Sequence, residues 1–335
     1  MSLTLPISPD GVSQGRRSRS VGVGRAHAKA VLLGEHAVVY GAEALAVPLP
    51  QLTVTASARW SSRRTEGPGD VSFTVTGPLS RPVAAQASDG LRRLVRQFSP
   101  TPRTEDGAHL DVTLDCAIPH GRGLGSSAAC ARALVLALAD LQGRQVTEDE
   151  TFDLVQTAEN VAHGRSSGVD ARAVGAWAPL LFREGEVREL SVGCRGVFVV
   201  ADSGVVGRTK AAVEQLREGF QRHPGAKEEF LRRAALLTEE ARHALAEGRA
   251  EQLGTRLTDY HEVLRAAGLS TEGIDGLVGA ALTAGSLGAK ITGGGLGGCV
   301  IALTTPEQAD EVEQRLRAAG AVRTWAVPLR GSFRE

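Results

Sequence analysis

The sequence predicts an α+β fold in two parts, and three observations carry that reading. Segments of strand character dominate the first half and helical segments the second, without the strict alternation of a βαβ fold. The changeover near residue 190 marks a domain break, giving parts at 21–190 and 191–335 behind a flexible polar tail at 1–20. With 335 residues, 42% of them hydrophobic, the chain is long and apolar enough for a full core.

Gln51–Ala58, Val71–Gly77 and Leu110–Cys116 are rich in β-branched residues with rough alternation, and read as strands. Polar Gly/Pro-containing loops are expected at Ser61–Asp70 and Ser99–Gly107. Ser127–Leu141 is apolar nearly all round, the signature of a buried helix. Thr147 and Glu150 form a capping box that opens a helix running to about His163. Arg195–Asp202 is a buried type of strand, followed by helical segments at Thr209–Phe220, Lys227–Gly248 and Ala250–Ala267. The chain closes with two strands, AKIT and CVIALT, then a helix and the strand VRTWAVPL. Pro306 is expected at the first position of that helix and Gly320 after its last turn. No internal repeat is present.

Lys+Arg and Asp+Glu both number 38, so the formal net charge is zero. That balance argues against nucleic acid or an anionic membrane as partner, because such binding runs on excess cations. Cys116, Cys130, Cys194 and Cys299 are not spaced as a zinc ribbon or a redox pair, and a reducing, cytoplasmic setting is expected. The first two dozen residues hold no apolar segment of signal-peptide length, and no uncharged apolar run reaches membrane-spanning length.

Five places carry candidate chemistry. In IPHGRGLGSSAAC, Gly121, Gly123 and Gly125 alternate and run straight into Ser126, Ser127 and the buried helix. This is either a flexible loop with a serine cap or a cradle of backbone amides for a phosphate at a helix N-terminus. No Gly-Lys pair exists in the chain, so a Walker-type loop is excluded. In TGGGLGG, residues Gly293, Gly295 and Gly298 match a dinucleotide fingerprint in form only. Too little chain follows for a complete βαβ unit, which leaves a tight strand connection or a backbone surface against a ligand. AKAVLLGEHAVVYG sets Lys29, Glu35 and His36 in an apolar run, where a buried charge is costly unless paired. Glu159 shares a helix face with Phe152, Val155 and Ala162 and needs either a basic partner or a cation. Asp170 in HGRSSGVDARA is either a turn aspartate capping its own backbone or a catalytic acid.

Taken together, AKAVLLGEHAVVYG, PHGRGLGSSAA and KITGGGLGGC resemble, in order, the three motifs of the GHMP small-molecule kinases. HGRSSGVDARA, HEVLRAAGLS and DSGVVGRTKAAV are similar to further segments of these enzymes, and the likeness runs from about Arg25 to the end. It implies a ribosomal-S5-domain-2-like amino-terminal domain, a ferredoxin-like carboxy-terminal domain, and ATP and acceptor in the cleft between them. By motif position, Pro119, Gly121, Gly123, Leu124, Gly125, Ser126 and Ser127 would surround the ATP phosphates. Ser127 and Glu159 would hold Mg2+. Asp170 would face the acceptor hydroxyl with Lys29 beside it, the two forming the catalytic pair. Glu35, His36 and the turn at Gly294 would contact the acceptor, with Thr209 near the reacting groups.

The wording GEHAVVYG resembles that of the branch whose acceptor is mevalonate. It implies transfer of the ATP γ-phosphoryl group to the primary (C5) hydroxyl, on the route to isoprenoids. A homodimer is carried as an expectation. The family's third motif usually reads T-G-A-G-G-G-G; here Gly294 replaces the alanine and Leu296 a glycine, so the shape of that loop is expected to change.

The rival readings are weaker. A phosphomevalonate kinase would want extra cations in the acceptor pocket, homoserine kinases lack the aspartate, and galactokinases carry a different first motif. An S5-like RNA-binding module sits poorly with zero net charge and 4% aromatic residues. An NAD-dependent oxidoreductase would rest on the formal glycine match alone.

Overall fold

A computed structural model describes residues 20–61, 71–77, 85–98, 109–164 and 166–329. The expected amino-terminal tail, and nearly all of the two expected loops, lie outside the described residues. Two sheets organise the rest, one built from strands before residue 190 and the other from strands after it.

The first sheet grows from one long antiparallel pair, β1 (Gly22–Leu33) and β2 (Ala44–Ser61). The outer half of β2 also pairs with β4 (His109–Cys116), and its inner end pairs with β5 (Leu180–Arg183). β3 (Val71–Thr76) adds parallel to β4, and β6 (Glu186–Glu189) closes a hairpin with β5. The helices α1 (Ala85–Phe98), α2 (Ser126–Gln142) and α3 (Glu148–His163) belong to this half, with the short α4 (Val169–Ala173) beyond them. α2 lies directly on β1. A Cβ on Gly24 would sit 2.1 Å from the Ala133 carbonyl oxygen, so only a strand glycine facing an alanine-lined helix permits the approach. Buried on nearly every side, α2 has little amphipathic character, as its all-round apolar sequence implied.

The second sheet has the order β10-β7-β9-β8 and is antiparallel throughout: β7 (Val197–Asp202), β8 (Gly288–Thr292), β9 (Cys299–Thr304) and β10 (Arg323–Pro328). β7, β8 and β9 are buried along their whole length. Five helices accompany it: α5 (Thr209–Arg222), α6 (Ala226–Glu247), α7 (Ala250–Ala266), α8 (Glu272–Thr283) and α9 (Ala309–Ala318). The halves are joined through β1 and β8. The Thr292 hydroxyl accepts from the Val31 amide and donates to the Val31 carbonyl, both at 3.0 Å.

Several elements depart from the sequence expectation. β1 carries no alternation from Ala26 onward, where it is buried on both faces, and Lys29 interrupts its apolar run. α8 contains Gly273, Gly276 and Gly279, poor helix formers, and is held by the Thr271 cap and its buried face of Ile274, Leu277, Val278 and Ala281. α1, α4 and the β5–β6 hairpin were likewise not marked. α9 begins at Ala309; Pro306 sits in the turn before it, where the Gln308 amide reaches the Thr305 carbonyl at 3.2 Å. Thr147 caps α3 as expected, accepting from the Glu150 amide at 3.1 Å, while the Glu150 side chain turns to Arg144.

Candidate active site

The end of β4 delivers the first glycine loop to α2. Gly121, Gly123 and Gly125 have φ of 68°, 77° and 73°, so every second residue of the loop is left-handed, which explains the alternation in the sequence. Gly125 is the N-cap of α2 and offers no side-chain cap, so the first-turn amides at Ser126 and Ser127 are left for an anion. The second glycine loop joins β8 to β9 and packs backbone against backbone on the first. A Cβ on Gly123 would lie 2.8 Å from the Thr292 carbonyl oxygen, and one on Gly293 only 2.5 Å from the Gly123 Cα.

A third segment, 203–208, bridges the two loops. The Gly207 amide donates to the Gly121 carbonyl at 2.8 Å, and the Arg208 amide to the Gly295 carbonyl at 3.1 Å. Arg122, which the sequence reading passed over, ties the same corner. Its Nε lies 2.7 Å from Asp202 Oδ1, and its other end donates to the Gly204 carbonyl at 2.8 Å. No local pattern reveals this pairing, because the partners are eighty residues apart.

Lys29 and Asp170 meet at the mouth of this loop. The Lys29 ammonium is 2.9 Å from Asp170 Oδ1 and donates to the Gly123 carbonyl at 3.0 Å. The Lys29 side chain is 2% exposed and that of Asp170 31%, so a buried cation presents a half-open carboxylate. Asp170 stands in the first turn of α4, rather than in an open turn, on a helix capped by left-handed Gly168. The Lys29 backbone is fixed as well, its amide donating to the Leu124 carbonyl at 3.1 Å.

Glu35 and His36 follow β1 into a second buried cluster. Glu35 Oε1 is ion-paired with the Lys290 ammonium from β8, and the Tyr260 hydroxyl donates to the Glu35 carbonyl at 2.9 Å. Burial pushes the Glu35 carboxyl up and the Lys290 ammonium down, while each pulls the other back. The direct contact is that of an ion pair. His36 adopts left-handed φ of 64°, and burial with the nearby Lys290 charge pushes its imidazole down to about 4. Glu35 Oε2 and His36 Nε2, on consecutive residues, are both buried without a hydrogen-bond partner in the protein.

Gly294 faces Thr209, the first residue of α5. A Cβ at Gly294 would fall 1.8 Å from Thr209 Oγ1, so the glycine is what admits the threonine at this corner. Leu296 takes a left-handed φ of 55°, and its partly buried side chain packs against the core.

Ser127 lies in the first turn of α2, half-buried, and Glu159 on α3 is buried. The Cys116 thiol and burial raise the Cys130 thiol, three residues on from Ser127, and the Glu159 charge adds to the rise. Among the described residues no three His, Cys, Asp or Glu side chains group as a metal site. A serine hydroxyl and one carboxylate fit magnesium, which keeps few protein ligands and takes the rest from phosphate and water. All four cysteines are free, yet folding brings Cys116 and Cys130 to 4.0 Å between sulfurs, a pairing their spacing did not suggest.

Comparison with known proteins agrees with this geometry. The model of the GHMP kinases N terminal domain matches residues 89–175, and that of the GHMP kinases C terminal domain matches 241–322. The chain is a member of the GHMP kinases. A mevalonate kinase of Thermococcus onnurineus is 34% identical over 315 residues, 88% of this chain and 92% of the relative. One of Thermococcus sibiricus is 32% identical over 313 residues, 89% of this chain and 93% of the relative. The crystal structure of L. major mevalonate kinase in complex with R-mevalonate superposes with a TM-score of 0.82 at 25% identity, covering 96% of this chain and 99% of that one. Within the GHMP kinases the chain belongs to the mevalonate kinases. Among the described residues no helix is long and apolar enough to cross a membrane.

Proposed function

We propose that the cleft between the two sheets transfers the γ-phosphoryl group of ATP to the primary hydroxyl of mevalonate, giving mevalonate 5-phosphate and ADP. The observation that carries this reading is the position of the Lys29 ammonium, bonded at once to Asp170 and to the Gly123 carbonyl of the glycine loop. One cation thus spans the places where phosphate and acceptor oxygen must meet.

Phosphoryl transfer asks mainly for alignment and for neutralisation of charge. The α2 amides and the loop from Pro119 to Ser127 hold the phosphates. Lys29 faces the transferred group and the incoming oxygen, and Asp170 accepts the hydroxyl proton as the new P–O bond forms and the bond to ADP breaks. Glu35 Oε2 and His36 Nε2 orient the acceptor, with Gly294 and Thr209 closing its pocket. Ser127 and Glu159 would hold Mg2+, which would supply positive charge to offset that of the phosphates. The domains divide at 190/191, between β6 and β7. Four unbridged thiols suit a cytoplasmic enzyme.

A coupled ADP-release assay with mevalonate, phosphomevalonate, homoserine and galactose tests the reading. Turnover with mevalonate alone is expected; preference for any of the other three overturns the acceptor.

A further inference from the structure

The site holds two lysines and two carboxylates close together, and the way they pair is not the only way they could. Lys29 and Glu35 both belong to the β1 end of the amino-terminal half, and the Lys29 charge acts on the Glu35 carboxyl. Lys29 nevertheless pairs with Asp170, and Glu35 is taken by Lys290 from β8 of the other half, 255 residues away. Lys290 is fully buried. Its ammonium also contacts the Ile291 carbonyl and lies 5.5 Å from the centre of the Tyr260 ring. Tyr260 in turn donates to the Glu35 carbonyl, so α7 and β8 together grip Glu35 at backbone and side chain. A fully buried lysine is expensive to keep unless its charge is used. Here one Glu35 oxygen is occupied by Lys290 and the other is left for a ligand.

We infer that Lys290 is a positioning residue that enforces this partition. By holding Glu35 Oε1, it keeps Glu35 off Lys29 and leaves Lys29 free for Asp170 and the transferred phosphoryl group. The inference rests on the proposed roles of Lys29, Asp170 and Glu35. It adds that the catalytic ion pair depends on a lysine of the opposite domain that touches neither substrate. Removing Lys290 leaves a buried carboxylate on which the Lys29 charge still acts. Glu35 then competes with Asp170, and the reacting centre loses alignment.

Lys290→Met, Lys290→Arg and the double variant Lys290→Met/Glu35→Gln test this, each measured as kcat and KM per folded enzyme. Lys290→Met is expected to lower kcat about 100-fold, the scale of a misplaced catalytic group, with KM for ATP little changed. In the double variant the competing charge is gone, so kcat should recover at least tenfold over Lys290→Met while KM for mevalonate stays high. The charges facing Glu35 are Lys290, Lys29 and His36, with Tyr260 beside them and His261 behind Lys290. With Lys290 gone, acid neutralises Glu35 and releases Lys29. The kcat of Lys290→Met relative to wild type should therefore rise as pH falls from 8 to 6. Lys290→Arg keeps the charge and should retain most of kcat.

A purely structural lysine predicts otherwise: normal kcat per folded molecule in Lys290→Met and no pH dependence of the ratio. That result overturns the inference while leaving the kinase reading intact. Loss of turnover with mevalonate in the wild-type enzyme would instead overturn the reading beneath it. Should Lys290→Met fail to fold, the double variant decides alone: kcat within tenfold of wild type supports the partition, and a greater loss refutes it.

Discussion

The two glycine loops look alike as letters and do different work. In the first, three left-handed glycines feed a helix whose first turn has no side-chain cap, which leaves its amides for the proposed phosphate contact. In the second, Gly293, Gly295, Gly297 and Gly298 are also left-handed, but a strand follows, and no helix supplies amides. Its glycines instead let backbone lie on backbone, supporting the first loop through Gly293, admitting Thr209 through Gly294 and leaving room beside Leu269 and His36 at Gly295. Glycine thus serves once to lead into an uncapped helix start and once to leave space for neighbouring backbone and side chains.

The largest effect should come from the charge that α4 brings within reach of Lys29. Asp170→Asn is expected to lower kcat by about 10³-fold, within the range a positioned base supplies, with ATP affinity by calorimetry unchanged. Near-normal turnover would remove Asp170 from the chemistry.

Gly123→Ala attacks the seam between the loops. Its Cβ meets the Thr292 carbonyl and its φ of 77° disfavours any side chain, so a loss of about 2–4 kcal/mol is expected together with weakened ATP binding. Chemical denaturation and ATP titration read the two effects separately; an unchanged midpoint would show that the loops are not in contact.

Acid should loosen the supporting side. His36 is held neutral in the folded protein down to about 4, whereas the unfolded chain takes up a proton near 6.5. Its contribution is complete above 6.5 and is lost as pH falls towards 4, up to about 3 kcal/mol. His27 and His261, both lowered by burial, act in the same direction. Urea midpoints measured between pH 7.5 and 4.5 should fall, and His36→Gln should flatten part of that slope.

Gly294→Ala restores the residue usual in the family but collides with Thr209, and should cost about 1–3 kcal/mol by overpacking while raising KM for mevalonate. Thr209→Ala in that background should recover part of the stability. Leu296→Gly is expected to do least, under about 1 kcal/mol either way, since relief of its left-handed strain offsets the lost apolar contact. Thermal melts of both variants check the order.

Legibility in the sequence followed locality. α2, α3 and the strands β4, β7 and β9 were readable because periodicity and caps act over a few residues, as Thr147 shows at α3. β1 was not, because a strand buried on both faces loses its alternation. α8 was hidden by its glycines, since packing on its buried face overrides propensity. Lys29, Glu35, His36 and Asp170 stood out as polar residues in apolar or glycine-rich settings. Arg122 and Lys290 did not, although each is locked to a carboxylate in the other half of the molecule.

By itself, then, the sequence determined the class of chemistry: which residues carry charge, where backbone freedom concentrates, and in what order three recognisable motifs occur. Only the tertiary structure decided who meets whom. It set Lys29 on Asp170 and Gly123, Lys290 on Glu35, one glycine loop on the other, and Cys116 beside Cys130. The physical reason is range. Side-chain chemistry and helical periodicity are properties of short segments, while contacts between residues 94 or 255 positions apart exist only once the topology has placed β1, α2 and β8 side by side.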